Sequence, residues 1–337
     1  MSKSLGNSPD PLDLIERFGA DGVRMGMMLC APAGNDILFD DSLCEQGRNF
    51  CNKIWNCFRL IKGWEVQEFS SSEVNKWGIE WFEAVLAKAQ TEVADLFSKY
   101  RLSEALMAIY KLYCDDFSGW YLEIIKPAYG QPIDKAAYEK TIQFMDTMLK
   151  LWPPFMPFIT EELWQAIEER QEGESLMVSP MEKIGDKAKG DEAIRQAAAQ
   201  CFDIISAIRN IRAQKNISPK EVLTLVCPEA LPAVVVKLAN VELAVGAEKS
   251  AGSASFIIGT TEYSVPLEKF INVDEELKKL EAELAHQEGF LRGVMGKLNN
   301  ERFVQNAKPE VVELERKKKA DAESRIATIK EAIAQLR

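Results

Sequence analysis

Hydrophobic residues between positions 41 and 216 recur every three or four residues, which is the spacing of amphipathic helices. The pattern predicts six helices joined by short connections, an arrangement typical of a helical bundle. The third of these helices carries apolar side chains on more than one face, so we expect it to be buried. Ser42 and Glu45 form a capping-box signature that places the start of the first helix. The predicted bounds are 42–63, 75–98, 102–125, 135–151, 157–169 and 192–215.

The segments on either side of the bundle follow other patterns. Residues 1–40 are rich in glycine and proline, and they predict two short helices with too little apolar surface for a domain of their own. Residues 170–190 form a linker within the bundle. In residues 217–271 the pattern changes to short strands around one helix, which predicts a small α+β unit. The predicted strands are 222–226, 242–245, 255–258 and 263–265, and the predicted helix is 231–238.

The last part of the chain, residues 272–337, repeats apolar positions with heptad spacing over 277–298 and again over 322–336. Pro309 lies where the second helix can begin. Each arm has roughly 27 residues, or about 40 Å of helix. Equal arms around a short turn favour an antiparallel coiled-coil hairpin. The fold class predicted from the sequence is therefore mainly α, in four parts: 1–40, a bundle over 41–216, an α+β unit over 217–271, and the hairpin over 272–337.

Composition excludes several kinds of chemistry. The chain has 337 residues, a formal net charge of −11 and a single histidine, His286. One histidine cannot supply a multi-histidine metal site, and no pair among the seven cysteines has C-x-x-C spacing, so no metal site is predicted. The cysteines are typical of reduced thiols in a cytoplasmic protein. The sequence has no run of 18 apolar residues and no signal-peptide pattern, so we expect no membrane span.

The first residues, Met1-Ser2-Lys3-Ser4-Leu5-Gly6-Asn7, are followed by Asp10-Pro11-Leu12 and Gly19-Ala20-Asp21. This stretch resembles the mobile ATP-binding loop of class I aminoacyl-tRNA synthetases, which reads K-M-S-K-S in that family. The resemblance implies that Ser2, Lys3 and Ser4 face the phosphates of ATP. It also implies a catalytic role for Lys3, whose positive charge stabilises the departing pyrophosphate. The chain begins one residue into this loop, so we expect it to be part of a longer protein.

Two further stretches resemble the same family. Residues 151–164, a proline-rich turn and a helix, are typical of a buried helix junction. Residues 48–56 resemble the first helix of the anticodon-binding bundle. Four polar donors on that helix suit the reading of unpaired bases, but they also suit an ordinary solvated face, and the sequence leaves both interpretations open. These donors are Arg48, Asn49, Lys53 and Asn56.

The tail resembles one branch of the family. Residues 298–312, inside the predicted hairpin, are similar to the tRNA-binding arm of valyl-tRNA synthetases, and residues 208–219 also fit that branch. The hairpin carries 13 cationic and 13 acidic side chains, so charge alone suits a solvated coiled-coil face as well as an RNA-binding one. The resemblance favours RNA. The tRNA-contacting residues that it implies here are Arg209, Arg212, Lys297, Arg302 and Lys308.

The resemblance implies that the chain is the C-terminal, tRNA-binding part of a valine enzyme that uses ATP with Mg²⁺. The H-I-G-H signature of the ATP site cannot lie in this chain, because its one histidine is in the hairpin. We therefore expect a monomer that binds tRNA(Val), has no ATP bound and does not activate valine without the catalytic and editing domains. The alternative is a coiled-coil module for protein interaction or oligomerisation, for which the heptads are the evidence.

Overall fold

A computed structural model describes residues 9–30, 39–181, 188–250, 252–268, 270, 273–300 and 309–336. The described chain forms two compact units, residues 1–199 and 200–337, which divide within one long helix. The architecture is mainly α, as predicted, with one small sheet in the second unit. The four-part division stays a prediction.

The first unit is built from helices whose apolar faces meet. Their bounds are α1 Pro11–Phe18, α2 Ala20–Leu29, α3 Asp41–Lys62, α4 Glu73–Ser98, α5 Leu102–Lys111, α6 Leu122–Ile125, α7 Lys135–Leu149 and α8 Pro157–Ile167. A π-helical segment, Leu112–Tyr121, joins α5 to α6, and a 3₁₀ turn covers Leu176–Val178. The buried centre is aromatic: the Phe82 ring lies 4.9 Å from Tyr121 and 5.0 Å from Phe144, measured between centroids. The helix predicted to be central, residues 102–125, does lie in this core.

Three local features of this unit differ from the predictions. The cap of α3 is Asp40, whose carboxylate accepts a hydrogen bond of 2.9 Å from the Ser42 amide, so the helix begins one residue before the predicted capping box. The segments Val66–Gln67 and Ile133–Asp134 form a short pair of parallel strands, β1 and β2, which no alternating pattern in the sequence predicts. The π-helical segment was also not predicted, because the change to i→i+5 hydrogen bonds does not alter the apolar pattern of this stretch in a recognisable way.

The second unit contains a sheet of four strands, β3 Leu223–Cys227, β4 Val241–Val245, β5 Ser253–Ile258 and β6 Thr261–Pro266. Their order in the sheet is β4-β3-β6-β5. The helix α9, Ala188–Gln214, leads into it, and α10, Ala233–Ala239, connects the parallel strands β3 and β4. The alternation of buried and exposed residues along β3 matches the predicted strand pattern.

The chain ends in two long helices, α11 Val273–Leu298 and α12 Pro309–Leu336, which pack against each other. Two ion pairs fix their antiparallel direction: Lys297 with Glu315 at 3.5 Å and Glu288 with Lys330 at 3.0 Å. Along α12 the buried positions follow the heptad as far as Ile333. The predicted coiled-coil hairpin is therefore confirmed.

Candidate nucleic-acid interface

Helix α3 has one buried face and one face open to solvent. Its buried residues are spaced by three or four and include Phe50, Ile54 and Ile61, as the apolar pattern predicts. Over residues 48–59 the opposite face carries amides, cations and one tryptophan, and the exposed Glu45, one turn earlier, pairs with Arg48 at 3.8 Å. The exposed residues over residues 48–59 are Arg48, Asn49, Asn52, Trp55, Asn56 and Arg59.

Close backbone contact with α2 holds α3 in place. A methyl group on Gly47 would lie 2.4 Å from the carbonyl oxygen of Gly22, and one on Gly26 would lie 2.7 Å from the amide nitrogen of Cys44. Side chains larger than hydrogen do not fit at such distances, so glycine permits this approach. The outward face of α3 therefore sits on a rigid support.

The four predicted contact residues of α3 lie beside two different hollows. Asn49 and Lys53 line one of about 310 Å³ between α3 and Tyr110 of α5, and the Lys53 ammonium lies 3.5 Å from the carbonyl oxygen of Cys114. Arg48 lines another of about 440 Å³ beside the α1–α2 junction, and its Nη1 donates to the carbonyl oxygen of Arg17 at 3.2 Å. Asn56 is exposed one turn further along.

The structure also adds residues that the sequence interpretation missed on this face. The apolar pattern of α3 predicts that Trp55 packs in the bundle, but the residue is 38% exposed and its ring lies 6.0 Å from that of Phe58. Asn52 and Arg59 share the exposed face. A helical wheel of the sequence could have shown this shared face, because intervals of three and four residues place side chains on one side of a helix. Such intervals separate Arg48, Asn52, Trp55 and Arg59. An exposed tryptophan beside amides and cations is the composition of a surface that stacks on bases and binds phosphates.

Arg212 of α9 occupies a structural position. Only 6% of the residue is exposed, and burial lowers the pKa of its guanidinium. Its two terminal nitrogens donate to four backbone carbonyls at 2.9–3.0 Å, so they are used within the protein. This placement argues against the predicted tRNA contact of Arg212. The physical reason is that four carbonyl oxygens from the turns around β3 and β4 lie within hydrogen-bond distance of this one guanidinium. Those carbonyls belong to Ser218, Glu221, Ala239 and Asn240.

Arg209, one turn earlier on α9, is exposed and lies on the rim of a hollow in the same unit. On the hairpin, Lys297 pairs with Glu315, a carboxylate that is only 5% exposed and whose pKa is lowered chiefly by its hydrogen bond from Lys318. The remaining predicted residues lie outside the described part of the chain. They are Ser2, Lys3 and Ser4 in the proposed ATP loop, and Arg302 and Lys308 near the tip of the hairpin.

The described residues contain no group of three or more histidine, cysteine, aspartate or glutamate side chains placed to hold a metal ion. In the same part of the chain, every helix is too short or too polar to cross a membrane. All seven cysteines are unbridged thiols. Burial raises the pKa of Cys51 to about 12, so this thiol stays protonated at neutral pH.

Comparison with known proteins identifies the family. A family model described as the anticodon-binding domain of tRNA ligase matches residues 80–227, and one described as the valyl tRNA synthetase tRNA binding arm matches residues 272–337. The valine–tRNA ligase of Phocaeicola vulgatus is 60% identical over 343 aligned residues, which cover 100% of this chain and 39% of that protein. The chain belongs to the valyl-tRNA synthetase family.

Other valyl-tRNA synthetases agree with this assignment. The valine–tRNA ligases of Parabacteroides distasonis and Bacteroides thetaiotaomicron are 58% and 57% identical, again over 100% of this chain and 39% of each relative. The chain thus spans about two fifths of the length of these relatives. A solved ternary complex of Agrobacterium radiobacter K84 agnB2 LeuRS with tRNA and LeuAMS is 18% identical. That alignment covers 67% of this chain and 24% of the other, and its TM-score of 0.40 is too low to establish a shared fold.

The two family models fall on different elements of the fold. The anticodon-binding model begins within α4 and ends at β3, so it takes in the aromatic core of the bundle and all of α9. The model of the valyl-tRNA synthetase arm covers both helices of the hairpin. Helix α3 lies before the matched residues, and the case for its outward face rests on its own surface chemistry.

Proposed function

We propose that this chain is the tRNA-binding part of a valine–tRNA ligase and that it binds tRNA(Val) through the bundle and the hairpin. One observation carries the proposal: two tRNA-binding family models match the helical bundle and the hairpin of the same chain. The outward face of α3 supplies suitable chemistry for unpaired anticodon bases, with amides for hydrogen bonding and Trp55 for stacking.

We propose that catalysis requires the rest of the enzyme. In the complete protein, ATP with Mg²⁺ would bring the phosphates to Ser2, Lys3 and Ser4, and Lys3 would stabilise the charge of the departing pyrophosphate. The matched part of the relatives is short, and the single histidine of this chain lies on α11, so the H-I-G-H signature must come from elsewhere. The chain alone is expected to be a cytoplasmic monomer that binds tRNA and shows no valine-dependent pyrophosphate exchange.

A substitution on α3 tests the partner class. Trp55→Ala removes the exposed indole and should weaken tRNA(Val) binding roughly tenfold, since stacking on an aromatic side chain contributes ~1–3 kcal/mol per base. The matched control is Tyr129→Ala, because Tyr129 is a fully exposed aromatic residue outside this face. Fluorescence anisotropy with labelled tRNA measures both affinities.

Two results would contradict the proposal. The first is equal affinity of Trp55→Ala, Tyr129→Ala and the unchanged chain for tRNA(Val). The second is a concentration-dependent dimer in sedimentation that forms through the hairpin and does not dissociate on tRNA binding, which would favour the protein-interaction alternative. Valine-dependent pyrophosphate exchange by the chain alone would contradict the separate claim that catalysis needs the missing domains.

A further inference from the structure

The second unit contains a hollow of about 600 Å³ at the end of α9. Its walls are the last turn of α9, the connection from α9 to β3, and the turn from α10 to β4. We call it the α9 hollow. Its volume lies within the range of small-ligand sites in proteins, ~300–1,000 Å³.

The rim of the α9 hollow is held rigidly. Arg212 fastens both turns through its bonds to backbone carbonyls. Asn240, which has a left-handed backbone with φ +52°, donates from its side-chain amide to the carbonyl oxygens of Pro219 and Glu221, both at 3.0 Å. Because this rim is already ordered, binding of a ligand does not carry the free-energy cost of ordering it.

The lining of the α9 hollow has three kinds of surface. Pro219 and the half-buried Leu238 supply the apolar part of the lining. Asn216 and Ser218 place an amide and a hydroxyl on the exposed rim, and the cation Arg209 stands at one side. An apolar face, a hydrogen-bonding edge and an anion partner are together the chemistry that recognises a nucleotide of unpaired RNA.

Charge supports an anionic occupant over a protein one. Besides the buried Arg212, residues 209–221 contain three cations, Arg209, Lys215 and Lys220, and one carboxylate, Glu221, within a chain whose net charge is −11. The lining itself contains no aspartate or glutamate among the described residues. Local positive charge on an acidic protein concentrates binding of a polyanion at that place.

We propose that the α9 hollow receives an unpaired nucleotide of tRNA. Its base lies over Pro219 and Leu238, its edge meets Asn216, and its phosphate pairs with Arg209. This inference rests on the proposed function, because tRNA is the RNA that supplies the nucleotide. The proposed contact lies on residues 209–240, which come after α3 and before the hairpin in the sequence. Its evidence is the charge and the shape of the hollow, and neither α3 nor the heptads contribute to it.

Charge reversal tests the phosphate contact. Arg209→Glu should weaken tRNA(Val) binding about tenfold and reduce the slope of log K against log salt concentration by about 1, as expected for one lost phosphate contact. Lys76→Glu, an exposed site at the start of α4, makes the same change in net charge and is the matched control. Both variants should keep the circular dichroism and melting temperature of the unchanged chain.

A crosslink tests the site without depending on affinity. A photoreactive amino acid at the exposed lining position Ala213 should crosslink to an unpaired nucleotide of bound tRNA, read as a stop in primer extension. If the unchanged chain binds tRNA but Arg209→Glu matches the control and the crosslink falls on paired nucleotides or is absent, the inference is wrong and the proposed function stands. If the unchanged chain binds no tRNA, both are wrong.

Discussion

Arg209 and Arg212 lie one turn apart on α9, and their surroundings give them different roles. The guanidinium of Arg212 is bonded to four backbone carbonyls and is buried, whereas Arg209 is exposed on the rim of the α9 hollow. A family resemblance in sequence cannot separate two such neighbours. Burial separates them, because a buried guanidinium cannot also reach a phosphate.

This difference predicts opposite effects for the same substitution. Arg212→Ala should lower the free energy of unfolding by about 3 kcal/mol, since it removes four hydrogen bonds made by a buried guanidinium. Arg209→Ala should lower the free energy of unfolding by less than Arg212→Ala does, since Arg209 is exposed, and it should weaken tRNA binding. Urea unfolding followed by circular dichroism measures the first effect and anisotropy the second. Loss of stability in Arg209→Ala, with none in Arg212→Ala, would reverse the assignment.

Asp116, in the π-helical segment, is a carboxylate whose surroundings disfavour its charged form. Burial and the nearby carboxylate of Asp115 together raise its pKa to about 6, against the opposing charges of Lys111 and Lys88. The unfolded chain holds this proton only below a pKa of about 3.8. The native state therefore binds the proton more tightly, so the free energy of unfolding falls as the pH rises from about 3.8 to about 6 and stays lower above pH 6.

The sign of this effect gives a pH prediction. Asp116→Asn should raise the free energy of unfolding by about 1–3 kcal/mol at pH 7.5, because the amide carries no charge to bury. The advantage should shrink as the pH falls through 6 and should be nearly lost by about pH 4, where the native carboxyl is protonated. Denaturation curves at several pH values measure it, with Asp203→Asn on the exposed side of α9 as the control. An advantage independent of pH would contradict the burial argument.

At the scale of elements, the contact of α2 with α3 positions the outward face of α3. Gly22, Gly26 and Gly47 let the two backbones touch, and this contact joins the short N-terminal helices to the bundle. Residues 1–40 were expected to lack a core of their own, and α1 indeed packs Leu14 and Phe18 against Cys44 of α3.

Two glycines test how much this contact matters. Gly47→Ala should lower the free energy of unfolding by about 3 kcal/mol, because the new methyl group meets the Gly22 carbonyl and the helices must separate. Gly296→Ala, in α11 with open space around it, should instead raise stability by about 0.5–1 kcal/mol through helix propensity. Urea unfolding measures both variants. A neutral Gly47→Ala would mean that the two helices are not in backbone contact.

Long periodic elements could be predicted from the sequence, and special local geometry could not. The helices of the bundle and the heptads of the hairpin follow directly from apolar spacing, because burial of one face determines them. The pairing of β1 with β2 depends on residues 66 positions or more apart, and two-residue strands have no pattern of their own. The burial of Glu315 could not be predicted, because a carboxylate at a core position of a heptad looks like a break in the apolar pattern. In the structure Lys297 and Lys318 pair with this carboxylate.

The candidate site divides in the same way. The polar face of α3 could be found from the sequence, since Arg48, Asn49 and Asn56 are exposed as such a face requires. Trp55 could not, because an aromatic residue in a helix is usually core, and only its position on the wheel relative to Asn52 and Arg59 shows otherwise. The α9 hollow joins residues from α9 and from the turn before β4, so no local pattern reveals it.

At the scale of the whole molecule, an acidic chain is proposed to bind a polyanion. The net charge of −11 opposes long-range attraction to RNA, so binding must come from local surfaces: the α3 face, the α9 hollow and the hairpin. Specific contacts of this kind favour one tRNA over others, whereas a diffuse positive charge would bind them all.

Titration of the unchanged chain with tRNA(Val) and with a non-cognate tRNA of equal length, at one salt concentration near physiological, tests this account most directly. It predicts a monomeric complex with tRNA(Val) that is at least about tenfold tighter than the non-cognate complex, equivalent to about 1.4 kcal/mol. Equal affinity for the two tRNAs, or no binding to either, would contradict it.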